Sequence, residues 1–266
     1  AFTVCLLLTG NLLLSLGAIS AAALLIMLLY DIPLTKRCHA VVIRKADFQK
    51  PEPYRLIRLG FPMLLYTIFL TLITFAPRLL LEKIAGASEV GVFAYVFAPT
   101  VVISTFASGV LLPFLSKMAK YWSLPDLKKL RISFFTPFAL ILLAGACGVA
   151  FSLLCGRWML TLLYDAMVGE HTRLLVISVV ASTLLSLVAC CNNVLIVARR
   201  MKMLIALNAA GFLLTIAGCL LLIPPYGMYG AGYAMVIGIA IQLLISGCFV
   251  AMLFIRKKKE AAVRGL

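Results

Sequence analysis

The stretch Met203–Ile255 reads MLIALNAAGFLLTIAGCLLLIPPYGMYGAGYAMVIGIAIQLLISGCFVAMLFI and contains no charged residue. An α-helix needs about 20 mostly apolar residues to cross the hydrocarbon layer of a bilayer. This stretch is long enough for two crossings, and the prolines Pro224 and Pro225 interrupt it near its middle. Because a proline inside a helix removes a backbone donor, we expect the chain to turn there. The stretch therefore predicts two membrane-spanning helices, Met203–Ile223 and Tyr229–Ile255.

The same criterion, applied to the rest of the chain, finds further apolar stretches. The 266 residues are 64% hydrophobic and 12% charged, with a mean hydropathy of +1.13. Soluble domains are roughly 45–50% apolar and about 25% charged, so the composition excludes a water-soluble enzyme, a disordered protein and a disulfide scaffold. We predict an all-α integral membrane protein with about seven transmembrane helices, the other five being Thr3–Leu29, Leu59–Leu81, Val90–Leu115, Phe134–Leu154 and Leu174–Val197.

The cations are distributed unevenly between the loops that these spans define. The chain has 24 Lys and Arg against 9 Asp and Glu, a formal net charge of +15. Twenty of the cations lie after the first, third, fifth or seventh span, and seven spans place all of these segments on one side. Cytoplasmic loops carry such an excess, so we expect the C-terminus to be cytoplasmic and the protein to be a multi-pass protein of the cell membrane. The excess charge thus indicates a topology and no nucleic-acid partner.

The middle of the predicted spans contains none of the acidic residues or metal-ligand pairs that catalysis, metal binding or ion coupling would need. None of the nine acidic residues lies at mid-depth, and the eight cysteines form no CxxC pair. His39 and His171 fall in loops on opposite sides of the membrane and cannot share a metal. A membrane-embedded glycosyltransferase or polymerase would need a pair of carboxylates or histidines at one interface, and the sequence shows no such pair. We therefore predict a non-enzyme with no cofactor and no metal site.

Arg78 is the one charged residue inside a predicted span, and it follows Pro77. Such residues are expensive in a membrane and are often functional. One interpretation is an anion-binding cation that faces a cavity, since a guanidinium can hold a phosphate by two hydrogen bonds. The other is a structural pair with Glu82, one turn later, with the side chain extending to the headgroups.

Weaker candidates are the remaining polar or helix-bending residues of the spans. Uncharged polar residues at depth either bridge helices or bind sugar hydroxyls; Gln242 and Thr215 are among them, and the candidates for substrate binding are Asn192, Asn193 and Asn208. Arg55 and Arg58 precede the second span and are either headgroup anchors or contacts for the phosphate of a lipid substrate. Pro77 and Pro99 are candidate conformational hinges or static bends.

Three segments together resemble a known family. The first is the Asn-bearing helix that ends in the basic turn Ala198–Lys202, followed by Asn208 and the outer turn IPPYGMYGAG. The second, LIRLGFPMLLYTIFLTLITFAPRLLLEKIAGASEVGVFAYVF, is similar to the first two helices of the same lobe. The third is TLLYDAMVGEH. In order and membrane side these pieces resemble the polysaccharide (lipid-linked oligosaccharide) flippases, a branch of the multidrug/oligosaccharidyl-lipid/polysaccharide exporter superfamily.

The resemblance implies a domain organisation. Residues 1–30 would be the last transmembrane helix of an N-terminal lobe, and 31–58 a basic cytoplasmic linker. Residues 59–255 would form a six-helix C-terminal lobe, and 256–266 a basic cytoplasmic tail. The rest of the N-terminal lobe would then be missing from this chain and would be its partner.

The resemblance also implies a function, namely a flippase that moves a polyprenyl-diphosphate-linked oligosaccharide across the membrane for surface polysaccharide biosynthesis by alternating access. Its partners would be the lipid-linked glycan and the phospholipid bilayer. Two alternatives stay open: a flippase for a peptidoglycan precursor or spore-associated lipid, which also carries a diphosphate, and a multidrug exporter of the same superfamily. A drug exporter should have acidic residues in its cavity, and the spans here have none at depth.

Overall fold

The structure, a computed structural model, describes residues 12–31, 33, 51–123, 127–164 and 166–263. Within these ranges every regular element is helical, which confirms the predicted all-α class. The α-helices are α1 (Leu12–Ile26), α2 (Pro51–Ala85), α3 (Ala87–Phe97), α4 (Val101–Ser123), α5 (Leu127–Leu163), α6 (Ala166–Gly169), α7 (Thr172–Val197) and α8 (Met201–Val263). A π-helical turn, Met27–Asp31, follows α1, and a 3-10 turn, Ala98–Thr100, joins α3 to α4.

Five helical segments of the described chain are long and apolar enough to cross a membrane. The last of them, Met201–Lys257, reverses direction at Gly227 and therefore supplies both of the final predicted crossings. The predicted span Phe134–Leu154 is only the middle of α5, which is 37 residues long. The first predicted span is described from Leu12 onward, where Ser20–Tyr30 is a shorter apolar helix; its residues 3–11 lie outside the described part.

The chain consists of two units, Ala1–Arg58 and Leu59–Leu266. In the first unit the described elements are α1, its π-helical turn and the first residues of α2. The predicted linker extends to residue 58, and its last residues, 51–58, form the first turns of α2. A proline is well tolerated there, since the first helical N–H has no partner in any case. Most of the predicted linker, like the end of the predicted tail, lies outside the described residues.

In the second unit, α7 is the central helix. In the most apolar 18-residue stretch of α7, 61% of the residues are buried, against 17–28% in the corresponding stretches of the other candidate spans. It packs against α3, α4, α5 and α8. Its surface is apolar on nearly all sides, which is typical of a helix with protein neighbours rather than lipid around it. The residues carried by α7 are therefore those that several other helices can contact at once.

Two hydrophobic clusters hold α7 in place. The first lies toward the end of the unit that contains Gly227 and includes Ile73, Phe93, Leu174 and Ile223. The second lies toward the opposite end and brings together residues of α4, α5, α7 and α8. Its members include Met118, Leu130, Val194 and Phe254. Each cluster joins helices that are distant in sequence, so the unit is held together at both ends.

Gly227 reverses the direction of α8. Its φ of 54° and ψ of −132° are outside the helical range, in a region that favours glycine. The next residue, Met228, donates its backbone N–H to a carboxylate oxygen of Glu89 on α3 at 2.9 Å. The following side chain, Tyr229, has its hydroxyl 3.1 Å from Nδ1 of His171 at the start of α7. The turn is therefore fastened to two other helices by polar contacts.

The turn between α7 and α8 is also well defined. The N–H of Arg200 donates to the carbonyl of Leu195 at 2.9 Å, and that of Arg199 donates to Ile196 at 3.0 Å. These two bonds form the Schellman pattern that closes a helix C-terminus. Arg199 occupies the position with positive φ, 56°, where glycine is usual. The pattern fixes Arg199 and Arg200 at the end of α7, on the side opposite Gly227.

Small residues allow the two arms of α8, before and after Gly227, to pack closely. A Cβ added at Gly238 would lie 2.6 Å from Oγ1 of Thr215 and 3.1 Å from its Cα. One added at Gly218 would lie 3.1 Å from the Cβ of Ala234. Close backbone approach at small residues is a main source of helix association in lipid. The positions Gly211, Thr215 and Gly218 on one arm therefore face Gln242, Gly238 and Ala234 on the other.

We predict that Gly238→Ala destabilises the protein by about 1–3 kcal/mol, because the new methyl group meets backbone as well as side-chain atoms of Thr215. The matched control is Gly247→Ala on the same arm, where an added Cβ has no atom within 4 Å. Unfolding of the two variants in detergent measures the difference. Equal stability of the two variants would contradict close packing at Gly238.

Candidate functional site

A network of buried amides connects α7 to both arms of α8. Nδ2 of Asn192 on α7 donates to Oδ1 of Asn208 at 3.3 Å, and Nδ2 of Asn208 donates back to Oδ1 of Asn192 at 3.4 Å. Nε2 of Gln242, on the second arm of α8, donates to the same Oδ1 of Asn208 at 3.0 Å. All three side chains are buried. The network thus joins three helical segments at one depth.

Asn208 is the centre of this network, and its hydrogen-bonding capacity is fully used. Its amide nitrogen also donates to the carbonyl of Leu204 at 2.7 Å, one turn earlier. A primary amide offers two N–H donors and two acceptor lone pairs. Asn208 therefore donates twice and accepts twice, and an asparagine is the residue that suits this position. Substitution by an acid would remove both donors.

The edge of the network contains atoms that are not paired. Oε1 of Gln242 and Oγ of Ser246, one turn apart on α8, are buried and have no hydrogen-bond partner in the described part of the chain. Tyr66 of α2 lies close enough to Asn192 for its hydroxyl to interact with the amide. Gly211 gives Gln242 its space, since a Cβ there would collide with Oε1. Unsatisfied buried groups are costly, so this edge is where a further polar partner would gain most.

Two of the three predicted asparagines, Asn192 and Asn208, meet in this network. Asn193 is half-buried and makes no part of it. Gln242 was visible in the sequence as a polar residue at depth, and Ser246 follows it at the i+4 spacing that places both on one helix face. Tyr66 had no such signal, because only tertiary packing brings α2 next to Asn192.

Arg78 occupies a different part of the second unit. It is half-buried in α2, with its guanidinium carbon 5.7 Å from the centre of the Phe75 ring. Its Nε is buried and has no hydrogen-bond partner among the described residues. Glu82 is exposed. The expected pair with Glu82 is therefore not made through Nε, and this donor is left for another acceptor.

The predicted hinge prolines lie in different backbone environments. Pro77 is buried within α2, which continues without interruption past both Pro62 and Pro77. Pro99 lies in the 3-10 turn between α3 and α4, so the helix does change its geometry there. Arg55 and Arg58 belong to the first turns of α2, and their side chains lie outside the described part. The structure thus places the predicted cations and asparagines on three different helices.

Titratable groups are sparse around these residues. In the part of the chain that the structure describes, no three His, Cys, Asp or Glu side chains are grouped as metal ligands would be. The acidic side chains described in the second unit are Glu82, Glu89 and Glu170. All three lie near helix ends, and Glu89 is engaged by the Gly227 turn. Among the described side chains, the polar groups available within the spans are therefore one guanidinium and several neutral amides and hydroxyls.

Solved structures share this fold. A multidrug resistance MATE family transporter of the MOP superfamily, in an outward-facing conformation, matches with a TM-score of 0.71 and 16% identity over 92% of this chain. MATE in a bent conformation matches with a TM-score of 0.72 and 17% identity over 94% of it. A MOP superfamily transporter from Pyrococcus furiosus, for which a reversed polarity of the binding pocket suggests a different function, matches with a TM-score of 0.67 and 17% identity over 93% of it.

In each case the chain spans 56% of the length of the solved transporter. No family model and no curated protein matches the chain. At 16–17% identity the structural matches establish the fold. The chain therefore has the fold of about half of a MATE-like transporter of the MOP superfamily.

We predict that Asn208→Leu lowers the free energy of unfolding by about 2 kcal/mol, because it removes three interhelical hydrogen bonds at roughly 0.6 kcal/mol each and leaves Asn192 and Gln242 unpaired. Asn193→Leu, at a half-buried position outside the network, is the control and should change the stability little. Both are measured as chemical unfolding in detergent micelles. An equal loss in the two variants would show that the network carries no special share of the stability.

Proposed function

We propose that this chain is the larger part of a membrane transporter that moves a polyprenyl-diphosphate-linked oligosaccharide by alternating access. The observation that carries the proposal is Arg78, a half-buried cation in a membrane-spanning helix whose Nε has no acceptor. A lipid diphosphate supplies acceptors of the right charge and geometry for a guanidinium. The MATE-like fold supports transport, since the solved proteins that share it are transporters.

The surroundings of Arg78 favour a ligand over a headgroup contact. Arg78 lies inside the predicted span, one turn before its end at Leu81, and α2 continues to Ala85. Phe75 and Leu79, its neighbours on α2, are exposed apolar residues of the kind that lipid chains contact. A diphosphate carried on a lipid would reach this depth only with its tail in the bilayer. This is the arrangement that a flippase requires.

We propose separate roles for the asparagines. Asn192 and Asn208 use their amides on each other and hold α7 against α8, so they would position the site rather than contact sugar. Asn193, half-buried and outside the network, is the better candidate for a sugar hydroxyl. Arg55 and Arg58 would meet the diphosphate at the other end of α2.

Export of cationic drugs is the second candidate function, because MATE multidrug transporters share the fold. A cation-binding cavity would need a carboxylate at depth, and the described side chains of the spans offer Arg78 instead. Transport of a peptidoglycan precursor or spore-associated lipid uses the same diphosphate chemistry. The solved proteins are longer than this chain, so we propose that the substrate pathway is completed by a second lobe.

We expect Arg78→Gln in the full-length protein to reduce export of surface polysaccharide about tenfold or more, since a hydrogen bond to a charged group contributes about 1.5–3 kcal/mol. Arg78→Lys should retain part of the export, because lysine keeps the charge and loses the two-pronged geometry. Lys83→Gln, an exposed cation on the same helix, is the control for charge alone. Normal export by a well-expressed Arg78→Gln variant would refute the role of Arg78.

The proposed orientation has a test of its own. With the basic segments in the cytoplasm, a fluorescent protein fused after residue 266 should fluoresce, and alkaline phosphatase at the same site should be inactive. Fusions within the Gly227 turn should give the opposite result. The reverse pattern would place the basic segments outside and contradict the positive-inside assignment.

A further inference from the structure

Seven cations lie near the end of α4, the start of α5 and the last turns of α8. We call this surface the basic corner; it consists of Lys117, Lys120, Lys128, Lys129, Arg131, Arg256 and Lys257. Six of them are exposed, and Lys257 is half-buried. None of these cations belongs to the amide network, and Arg78 lies on another helix, α2. The positive-inside rule explains on which side these cations lie, but not why cations of three helices meet at one place.

The packing of the unit places these cations together. Met118 of α4, Leu130 of α5 and Phe254 of α8 belong to the same buried cluster. Each cation of the basic corner lies within three residues of one of these three positions in the sequence. Cations from three helices therefore share one end of the unit.

Contacts between the helices define part of the corner. Lys257 on α8 donates a hydrogen bond to the backbone carbonyl of Trp122 on α4, and its Nζ lies 4.1 Å from the centre of the Trp122 ring. Lys117 lies 5.1 Å from the centre of the Phe114 ring. Cation–π contacts of this kind orient ammonium groups without neutralising them. These contacts fix part of the corner between α4 and α8.

The adjacent surface on the membrane side is apolar. Ile132 and Phe135 on α5, Leu112 on α4 and Ile255 on α8 are each more than half exposed. No carboxylate is found among the described side chains of this corner; Asp126 and Glu260, the nearest in the sequence, have side chains outside the described part. A ligand of this surface would therefore meet cations and, one or two helical turns away, exposed apolar side chains.

We propose that the basic corner is a binding site for anionic phospholipid. The phosphate of such a lipid would lie between the cations of α4, α5 and α8, and its acyl chains would cover the exposed apolar residues below. Basic pockets between transmembrane helices recognise anionic headgroups in this way. A nucleic acid or an acidic protein would use the charge and leave the apolar surface unused, so the combination favours a lipid.

Trp122 provides the measurement, because it lies within the corner. The full-length protein is reconstituted with phosphatidylcholine and a fraction of brominated phosphatidylglycerol, and quenching of tryptophan fluorescence is recorded. Subtracting the signal of a Trp122→Phe variant isolates the response at the corner. We expect phosphatidylglycerol to bind there roughly fivefold or more tightly than brominated phosphatidylcholine, as about one strong headgroup contact would produce. About 1 M NaCl, where the Debye length is about 3 Å, should remove the preference.

Two triple variants test which cations are responsible. The first variant combines Lys128→Gln, Lys129→Gln and Arg131→Gln. It should bind brominated phosphatidylglycerol and brominated phosphatidylcholine with about equal affinity. Arg199→Asn, Arg200→Gln and Lys202→Gln remove the same charge from the α7–α8 turn and should leave the preference for phosphatidylglycerol unchanged; asparagine is used at Arg199 because it tolerates positive φ. Thermal unfolding of both variants in detergent verifies that they fold.

Three results would overturn the proposal. Equal quenching by the two brominated lipids in the unaltered protein would show that the corner does not select anionic lipid. An equal loss in both triple variants would assign the effect to net charge. Displacement of the brominated lipid by a polyprenyl diphosphate, with no displacement by unlabelled phosphatidylglycerol, would assign the corner to the transported substrate.

Discussion

The constraint on which the whole structure depends is that backbone polar groups cannot remain unpaired in hydrocarbon. Inside a membrane only hydrogen bonds within the chain are available, so a spanning segment must be helical along its length. The chain can therefore change direction only outside the hydrocarbon, or where another part of the protein satisfies the backbone. At Gly227 the carboxylate of Glu89 accepts the N–H of Met228, and at Arg199 two Schellman hydrogen bonds close α7. The turns are thus the most specific parts of the fold.

The same constraint explains how much of the fold was predictable. The apolar length of each span and the alternation of basic loops depend on composition alone, so α7 and the reversal at Pro224–Gly227 could be predicted within a few residues. The 3-10 turn at Ala98–Thr100 and the length of α5 could not. Helix ends outside the hydrocarbon are set by capping and by contacts in the headgroup region, which leave little trace in the apolar pattern.

Which helices meet was harder to predict than where they are. A helix that is apolar all round has no polar face to indicate its orientation, so hydrophobic periodicity does not distinguish lipid-facing from protein-facing sides. The contacts depend on single small residues such as Gly211 and Gly238. For the same reason Asn192 and Asn208 could be identified as candidates, whereas their mutual hydrogen bonds and the approach of Tyr66 could not. The Arg78–Glu82 pair, plausible from spacing, is not made through Nε because that spacing does not determine where the guanidinium turns.

The distribution of satisfied and unsatisfied polar groups suggests how rigidity and binding are separated. Asn208 has all four hydrogen bonds, and two of them join α7 to α8, so movement of α7 relative to α8 would break those two with no replacement in hydrocarbon. The two bonds therefore favour a second unit in which α7 and α8 move together. The unpaired atoms lie away from this centre, at Nε of Arg78 and at Oε1 of Gln242. Free energy can be gained there by a ligand or by a partner helix, because the cost of burial has been incurred and no bond yet offsets it. A polar group is then informative about function to the extent that the fold leaves it unpaired, and by this criterion Arg78 ranks above the asparagines that first attract attention in the sequence.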